Sequence, residues 1–319
     1  MKYFLYIILF LGLRVFSQQT NQFTQFTFNK YGYNPSAAGT NINANIEIIL
    51  GTRKQWLGFS NSPFTNFLSI NYTLKPERSY KRWHNVGIYI DKDRAGLFKN
   101  ESYYLSYALH LPITKKYNMS FGIFAGVKYS AIDRKPISTN DPVYINSYNG
   151  FFLMFPDIIP GMRVYNKKMF FDVSVKQLYK NKLSQGAKQI GNKSELIPQL
   201  YVSYGKKINL NNGVVFLPAV NVHTSFLNIP SVEINTMFYV LKRVGLGATL
   251  RNKDFISGIF QIRFYKNIVA GFSYDYSINR LRQVAPNSIE VMIGLTSMFN
   301  ALGGVNENRR TSDCPTFDF

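Results

Sequence analysis

The feature that most constrains the fold is a two-residue alternation from Ser288 to Phe299, where Ile289, Val291, Ile293 and Leu295 are apolar and Glu290, Gly294 and Thr296 are polar or small. That period belongs to a β-strand with unlike faces. The segment before it does the same: Ile268, Ala270, Phe272, Tyr274 and Tyr276 share one parity, and Gly271, Ser273, Asp275 and Ser277 fill most of the other. Met119, Phe121, Ile123, Ala125, Val127 and Tyr129 likewise oppose Ser120, Gly122, Gly126, Lys128 and Ser130.

Read along the chain, the pattern predicts about fourteen strands, an even number as single-chain bacterial barrels require. They fall at Ala44–Gln55, Phe64–Lys75, Asn85–Asp91, Ser102–Pro112, Asn118–Ser130, Asp157–Tyr165 and Met169–Gln177. The second half continues with Pro198–Lys206, Gly213–His223, Ser231–Val240, Val244–Arg251, Phe255–Tyr265, Asn267–Ser277 and Ser288–Phe299. The expected fold is all-β, a transmembrane outer-membrane β-barrel of antiparallel strands. A β-sandwich also alternates, but its polar faces meet bulk water and carry more charge than Gly, Ser and Thr. No repeat of fixed period supports a propeller or solenoid.

Composition agrees. The chain holds 22 Tyr and 27 Phe against 2 Trp, yet its mean hydropathy is only -0.12, as strands with one lipid face and one wet face would give. A net charge of +20 is compatible with nucleic-acid binding or with a basic envelope protein among anionic head groups. A secretory amino end and the lack of a helical recognition motif favour the second. Met1–Ser17 carries Lys2 and an apolar stretch from Tyr3 to Leu13, the pattern of a cleaved signal peptide. Cys314 is the one cysteine, so no internal disulfide and no thiolate metal cluster is expected.

The expected organisation is a signal peptide (1–17), a periplasmic arm (18–43), extended with turns at Asn34-Pro35 and Gly39, the barrel (44–299) and a periplasmic tail (300–319). With both termini in the periplasm, alternate connections should be short and periplasmic, the others long and outward. Asn166–Lys168, Lys207–Asn212 and Leu241–Arg243 fit the short set, and Ala131–Pro156, Tyr179–Ile197 and Ile278–Asn287 the long one. Pro76–His84 and Asn252–Asp254 break the rule.

The charges on the polar parity, namely His110, Lys128, Lys176, Arg251, Arg263, Asp275 and Glu290, should project into the lumen, because charge is costly on the lipid face. Their expected role is structural, with ion pairs and water filling the pore. The short turns are basic, at Lys115-Lys116, Lys167-Lys168, Lys206-Lys207, Lys242-Arg243 and Lys266. They read as head-group anchors or as a ring that docks an acidic periplasmic partner. His84, His110 and His223 do not stand at metal-ligand spacing, and no phosphate loop or nucleophile elbow is present. No enzyme, metal or cofactor is expected.

The most distinctive text is the arm and first hairpin: Gln22-Phe23-Thr24-Gln25-Phe26-Thr27-Phe28-Asn29, Asn34-Pro35-Ser36-Ala37-Ala38-Gly39, Arg53-Lys54-Gln55-Trp56-Leu57-Gly58 and Pro63-Phe64-Thr65. These resemble the opening of the PorP/SprF family, outer-membrane proteins of the Bacteroidetes type IX secretion and gliding-motility apparatus. A looser likeness runs through Pro156-Asp157, Ser288–Ile293 and Cys314–Phe317. Ser36 stands where the family pattern favours Ala, and Ser288 where it favours His.

The resemblance implies an outer-membrane barrel that binds, helps to export or anchors a secreted adhesin-type cargo through the cargo's C-terminal domain. The alternatives are a core component of the secretion envelope complex, or a passive channel for small solutes. Implied partners are the cargo, secretion or gliding components and outer-membrane lipid, with no nucleic acid. Phe26, Phe28, Asn34, Pro35, Arg53, Gln55, Trp56, Gly58 and Pro63 are the candidate partner-binding or architectural positions.

Overall fold

The computed structural model describes residues 22–41, 45–74, 82–132, 152–179, 181, 184–185, 188–189, 195–210, 213–225, 229–241, 243–252, 254–265, 267–278 and 287–297. The expected signal peptide, the outward segment with Asn140-Asp141-Pro142, and the tail lie outside the described residues.

The barrel strands are β1 (Ile46–Lys54), β2 (Phe64–Leu74), β3 (Trp83–Ala95), β4 (Phe98–Pro112), β5 (Asn118–Ile132), β6 (Phe152–Tyr165) and β7 (Met169–Lys176). They continue with β8 (Gln199–Lys206), β9 (Val214–Thr224), β10 (Ser231–Val240), β11 (Val244–Arg251), β12 (Phe255–Tyr265), β13 (Ile268–Ser277) and β14 (Ser288–Ser297). Each pairs antiparallel with its sequence neighbours, and β14 returns to β1 with Ile46 opposite Ser297 and Lys54 opposite Ile289. The ring therefore closes and leaves no lateral edge strand, which is how a sheet crosses lipid without orphaned backbone groups.

The burial pattern is that of a water-soluble protein turned inside out. Leu105, Met154, Leu246, Ile256, Phe272 and Ile293 are exposed on the outer face, while Ser69, Asn85, Ser120, Asp157, Arg163, Asn235, Ser273 and Glu290 are buried on the inner one. Lipid covers the first set. Three strands run well beyond the expected bounds: β3, β4 and β6, the last starting at Phe152 where Asp157 was expected. The β3–β4 connection is the two-residue turn Gly96-Leu97, with Gly96 at φ +60. Lys92, Asp93, Arg94, Lys99 and Glu101 put charge on both parities there, so the alternation that marks a lipid-embedded strand fades although the ladder continues.

The expected periplasmic arm is corrected by the structure. Residues 23–41 are all buried, and they lie inside the barrel. The arm is not wholly extended: one helical turn, α1 (Lys30–Tyr33), is followed by a 3-10 turn at Pro35–Ala37. Asn29 caps the first, its side chain accepting from the Gly32 N–H, and Asn34 caps the second, with Pro35 at its first position. Phe23, Phe26, Phe28, Tyr31 and Tyr33 meet Phe67, Tyr89, Tyr104, Phe124, Ile159, Tyr165, Phe170 and Tyr201 of the wall in one core. Burying each arm phenylalanine contributes roughly 1.5–3 kcal/mol, enough in sum to hold a polar segment in place. A pore filled with ion pairs and water was expected; the chain itself fills much of it.

Candidate functional site

The arm enters at the barrel end that carries the β1–β2, β3–β4 and β13–β14 connections, called here the loop end. A carboxylate pair holds it there. Glu290 accepts the backbone N–H groups of Thr24 at 2.9 Å and Gln25 at 3.0 Å, and Asp275 accepts the Thr24 hydroxyl at 2.8 Å. Two carboxylates side by side in a buried place repel each other, and Arg53 compensates both: its Nη2 stands 2.5 Å from Asp275 and its Nη1 3.0 Å from Glu290. The planar fork of arginine suits that double contact. Arg53 is on β1 and its partners on β13 and β14, so this latch joins the first strand, the last two and the arm. Beside it Arg251 pairs with Glu233 at 3.2 Å, and Gln22 meets the His223 ring at 2.8 Å.

Through the middle, wall side chains take the arm's carbonyls. Lys176 donates to the Gly32 oxygen at 2.9 Å and Ser174 to the Tyr33 oxygen at 2.8 Å. The Lys176 ammonium also lies over the Tyr33 and Tyr201 rings, 5.1 Å from each centroid. Tyr33 folds the arm back on itself, accepting from the Phe23 N–H at 2.7 Å.

Toward the other end, where the turns are short, the Asn34–Gly39 segment is held through Asn34, Ser36, Ala38 and Gly39. The Asn34 side-chain oxygen accepts from the Ser36 N–H and hydroxyl, and its amide donates to the Met162 carbonyl at 3.0 Å and that of Val173 at 3.4 Å. Those carbonyls belong to β6 and β7, whose paired residues run only from Gly161 to Tyr165 on β6. Gly161 admits this side chain, since a Cβ there would lie 1.9 Å from the Asn34 oxygen; Gly122 admits the backbone, with a Cβ falling 2.3 Å from the Ser36 nitrogen. Ser120 donates to the Ser36 carbonyl at 2.7 Å, and Gly39, at φ +72, turns the chain so that its carbonyl accepts from the Trp83 indole at 3.0 Å. His110 Nε2 faces the Ala38 carbonyl at 2.8 Å. A carbonyl can only accept, so Nε2 carries the proton and Nδ1 accepts from the Tyr165 hydroxyl, also at 2.8 Å.

The first hairpin forms the rim above the latch. Gln55 N–H donates to the Pro63 carbonyl at 2.9 Å, Leu57 N–H to Asn287 at 2.8 Å, and Gly96 N–H to Asn61 at 3.1 Å. Trp56 (φ +54), Gly58 (φ +88) and Asn61 (φ +59) take the left-handed region. For a tryptophan that conformation costs about 1–2 kcal/mol, and it sets the indole edge-to-face against the exposed Phe59, ring centres 6.4 Å apart.

Thus Phe26, Phe28, Asn34 and Pro35 lie in the lumen, Arg53 at the latch, and Gln55, Trp56, Gly58 and Pro63 on the rim. Among the expected lumen charges, Asp275 and Glu290 bind the arm, Arg251 pairs with Glu233, and Lys128 stands 3.4 Å from Asp157. Arg263 is half-buried at a register shift in β12, toward the end with short turns. The sequence reading missed Arg163 and Asp172, a fully formed fork at 2.5 and 2.6 Å, together with Asp157 and Glu233. Parity could have found them: Asp157, Ile159, Gly161 and Arg163 alternate with the outer face of β6 as cleanly as Glu290 does on β14.

Comparison with known proteins adds the following. Residues 15–295 match the family described as "Type IX secretion system membrane protein PorP/SprF". Among curated proteins no relative matches. Among solved structures the fold is similar to the CymD monoaromatic hydrocarbon channel, at 11% identity and TM-score 0.52 over 88% of this chain and 94% of that one. It is also similar to the toluene transporter TbuX of Ralstonia pickettii, at 10% identity and TM-score 0.52 over 86% and 94%. At such identity the likeness concerns the barrel alone.

Proposed function

Starting from a chain that belongs to the PorP/SprF family of type IX secretion membrane proteins, we propose that this barrel works by protein recognition, holding an adhesin-type cargo through the cargo's C-terminal domain at the loop end. The observation that carries this reading is the arm. Its residues 23–41 are buried in the lumen, bonded to the wall from the latch at Glu290 to Trp83 near the opposite end. A solute channel needs a hydrated path, whereas a docking barrel needs a rigid body and a fixed rim. The arm supplies the first, and the hairpin around Trp56 contributes to the second. Rigid aromatics tied by backbone hydrogen bonds are what a protein partner can grip with small loss of side-chain entropy.

The exposed basic turns at Lys115, Lys116, Lys167, Lys168, Lys206 and Arg243 lie at the opposite end. In this reading they meet inner-leaflet phosphates and periplasmic secretion components. The gliding role belongs to the same proposal, and the test below identifies the cargo.

That test is a mild-detergent purification of the tagged chain from its own outer membranes, with every co-purifying protein identified. Recovery of a large secreted protein bearing a type IX C-terminal domain supports the proposal. Recovery of the barrel alone, together with ion conductance in a planar bilayer, would replace it by the channel reading.

A further inference from the structure

The arm runs one way through the barrel. Gln22 bonds His223, the Phe23 carbonyl accepts from Arg251 at 3.5 Å, and Thr24 and Gln25 bond Glu290 and Asp275. On β9, β11, β13 and β14 these wall residues all stand within three residues of the strand terminus at the loop end. The arm's later carbonyls, at Ala38 and Gly39, bond His110 and Trp83 near the opposite terminus of β4 and β3, and β1 then starts at that same end. The chain therefore descends from the loop end to the end with short turns before the barrel begins.

We infer that the arm enters the lumen from the cell surface, with Gln22 beside the outward loops, and not from the periplasm. Short turns mark the periplasmic end of a single-chain barrel, so the loop end is the outer one. To reach the periplasm, the chain before Gln22 would have to cross the lumen a second time. The arm and its aromatic cluster pack against inward residues of β1 to β9, β13 and β14, and the inward residues Val215, Leu217, Met237, Tyr239 and Ile259 form a second buried cluster on β9, β10 and β12. The arm's entry at Gln22 is then a surface feature that an extracellular partner meets, out of reach of periplasmic machinery. This inference rests on the orientation of the barrel and is independent of the docking proposal.

Three cysteine reporters in a Cys314→Ser background test it: Asn21→Cys beside the arm's entry, Ser60→Cys on the rim and Lys167→Cys in a short turn. Intact cells are treated with a membrane-impermeant maleimide, and a second sample is treated after permeabilisation. Asn21→Cys and Ser60→Cys should label on intact cells at least tenfold above Lys167→Cys, which should label only after permeabilisation. The inference is overturned by Asn21→Cys following the turn reporter, or by its remaining unlabelled in both samples. Should that variant fail to accumulate, a short epitope inserted between Asn21 and Gln22 reports the same side through antibody binding to intact cells.

Discussion

At the residue scale the molecule depends on groups that look unremarkable in the sequence. Arg53 was singled out only as part of a motif on the first hairpin, yet its guanidinium is what allows Asp275 and Glu290 to sit side by side and hold the arm. Removing it strands two buried carboxylates. Arg53→Ala should lower stability by about 3–5 kcal/mol, read as an earlier unfolding transition in detergent; Arg53→Lys should recover only part of this, because an ammonium cannot fork to both acids. An unchanged transition in Arg53→Ala would mean that the latch holds nothing. Glycines give a sharper contrast. Gly122→Ala drives a methyl group into the Ser36 backbone and should unseat the Asn34–Gly39 turn, whereas Gly258→Ala meets nothing within 4 Å and should be silent. Comparable protease sensitivity of the arm in the two variants would contradict this placement.

At the scale of elements the strands were legible and the arm was not, for one physical reason. A barrel strand is shaped by lipid on one side and lumen on the other, and the resulting two-residue period is written locally, as in Ile289–Leu295 or Met119–Tyr129. The arm has no such period. Thr24, Gln25, Asn29 and Asn34 are polar yet buried, because their partners are groups of distant strands, such as the Glu290 and Gln261 side chains and the Met162 carbonyl. A segment read by itself offers no sign of those partners, so its polarity suggests solvent. The rim hairpin lies between these cases: the motif Arg-x-Gln-Trp-x-Gly was visible, but the left-handed Trp56 was not. Trp56→Gly should relieve that strain, leave the unfolding midpoint unchanged or raised, and weaken cargo co-purification several-fold. Loss of the folded barrel instead would make Trp56 a stabilising residue with no special part in recognition.

At the scale of the whole molecule, a closed antiparallel barrel with apolar residues outside and charge inside belongs in the outer membrane, and its family ties it to type IX secretion. The solved barrels it is similar to include a monoaromatic hydrocarbon channel and a toluene transporter. What lies in the lumen of this chain is an arm bonded to the wall from rim to base. The most direct measurement is planar-bilayer conductance of the intact chain beside a variant in which residues 22–41 are replaced by a short flexible linker. The account predicts no steady conductance from the intact protein and discrete open-channel currents from the variant. Steady currents of the same size from both would contradict it.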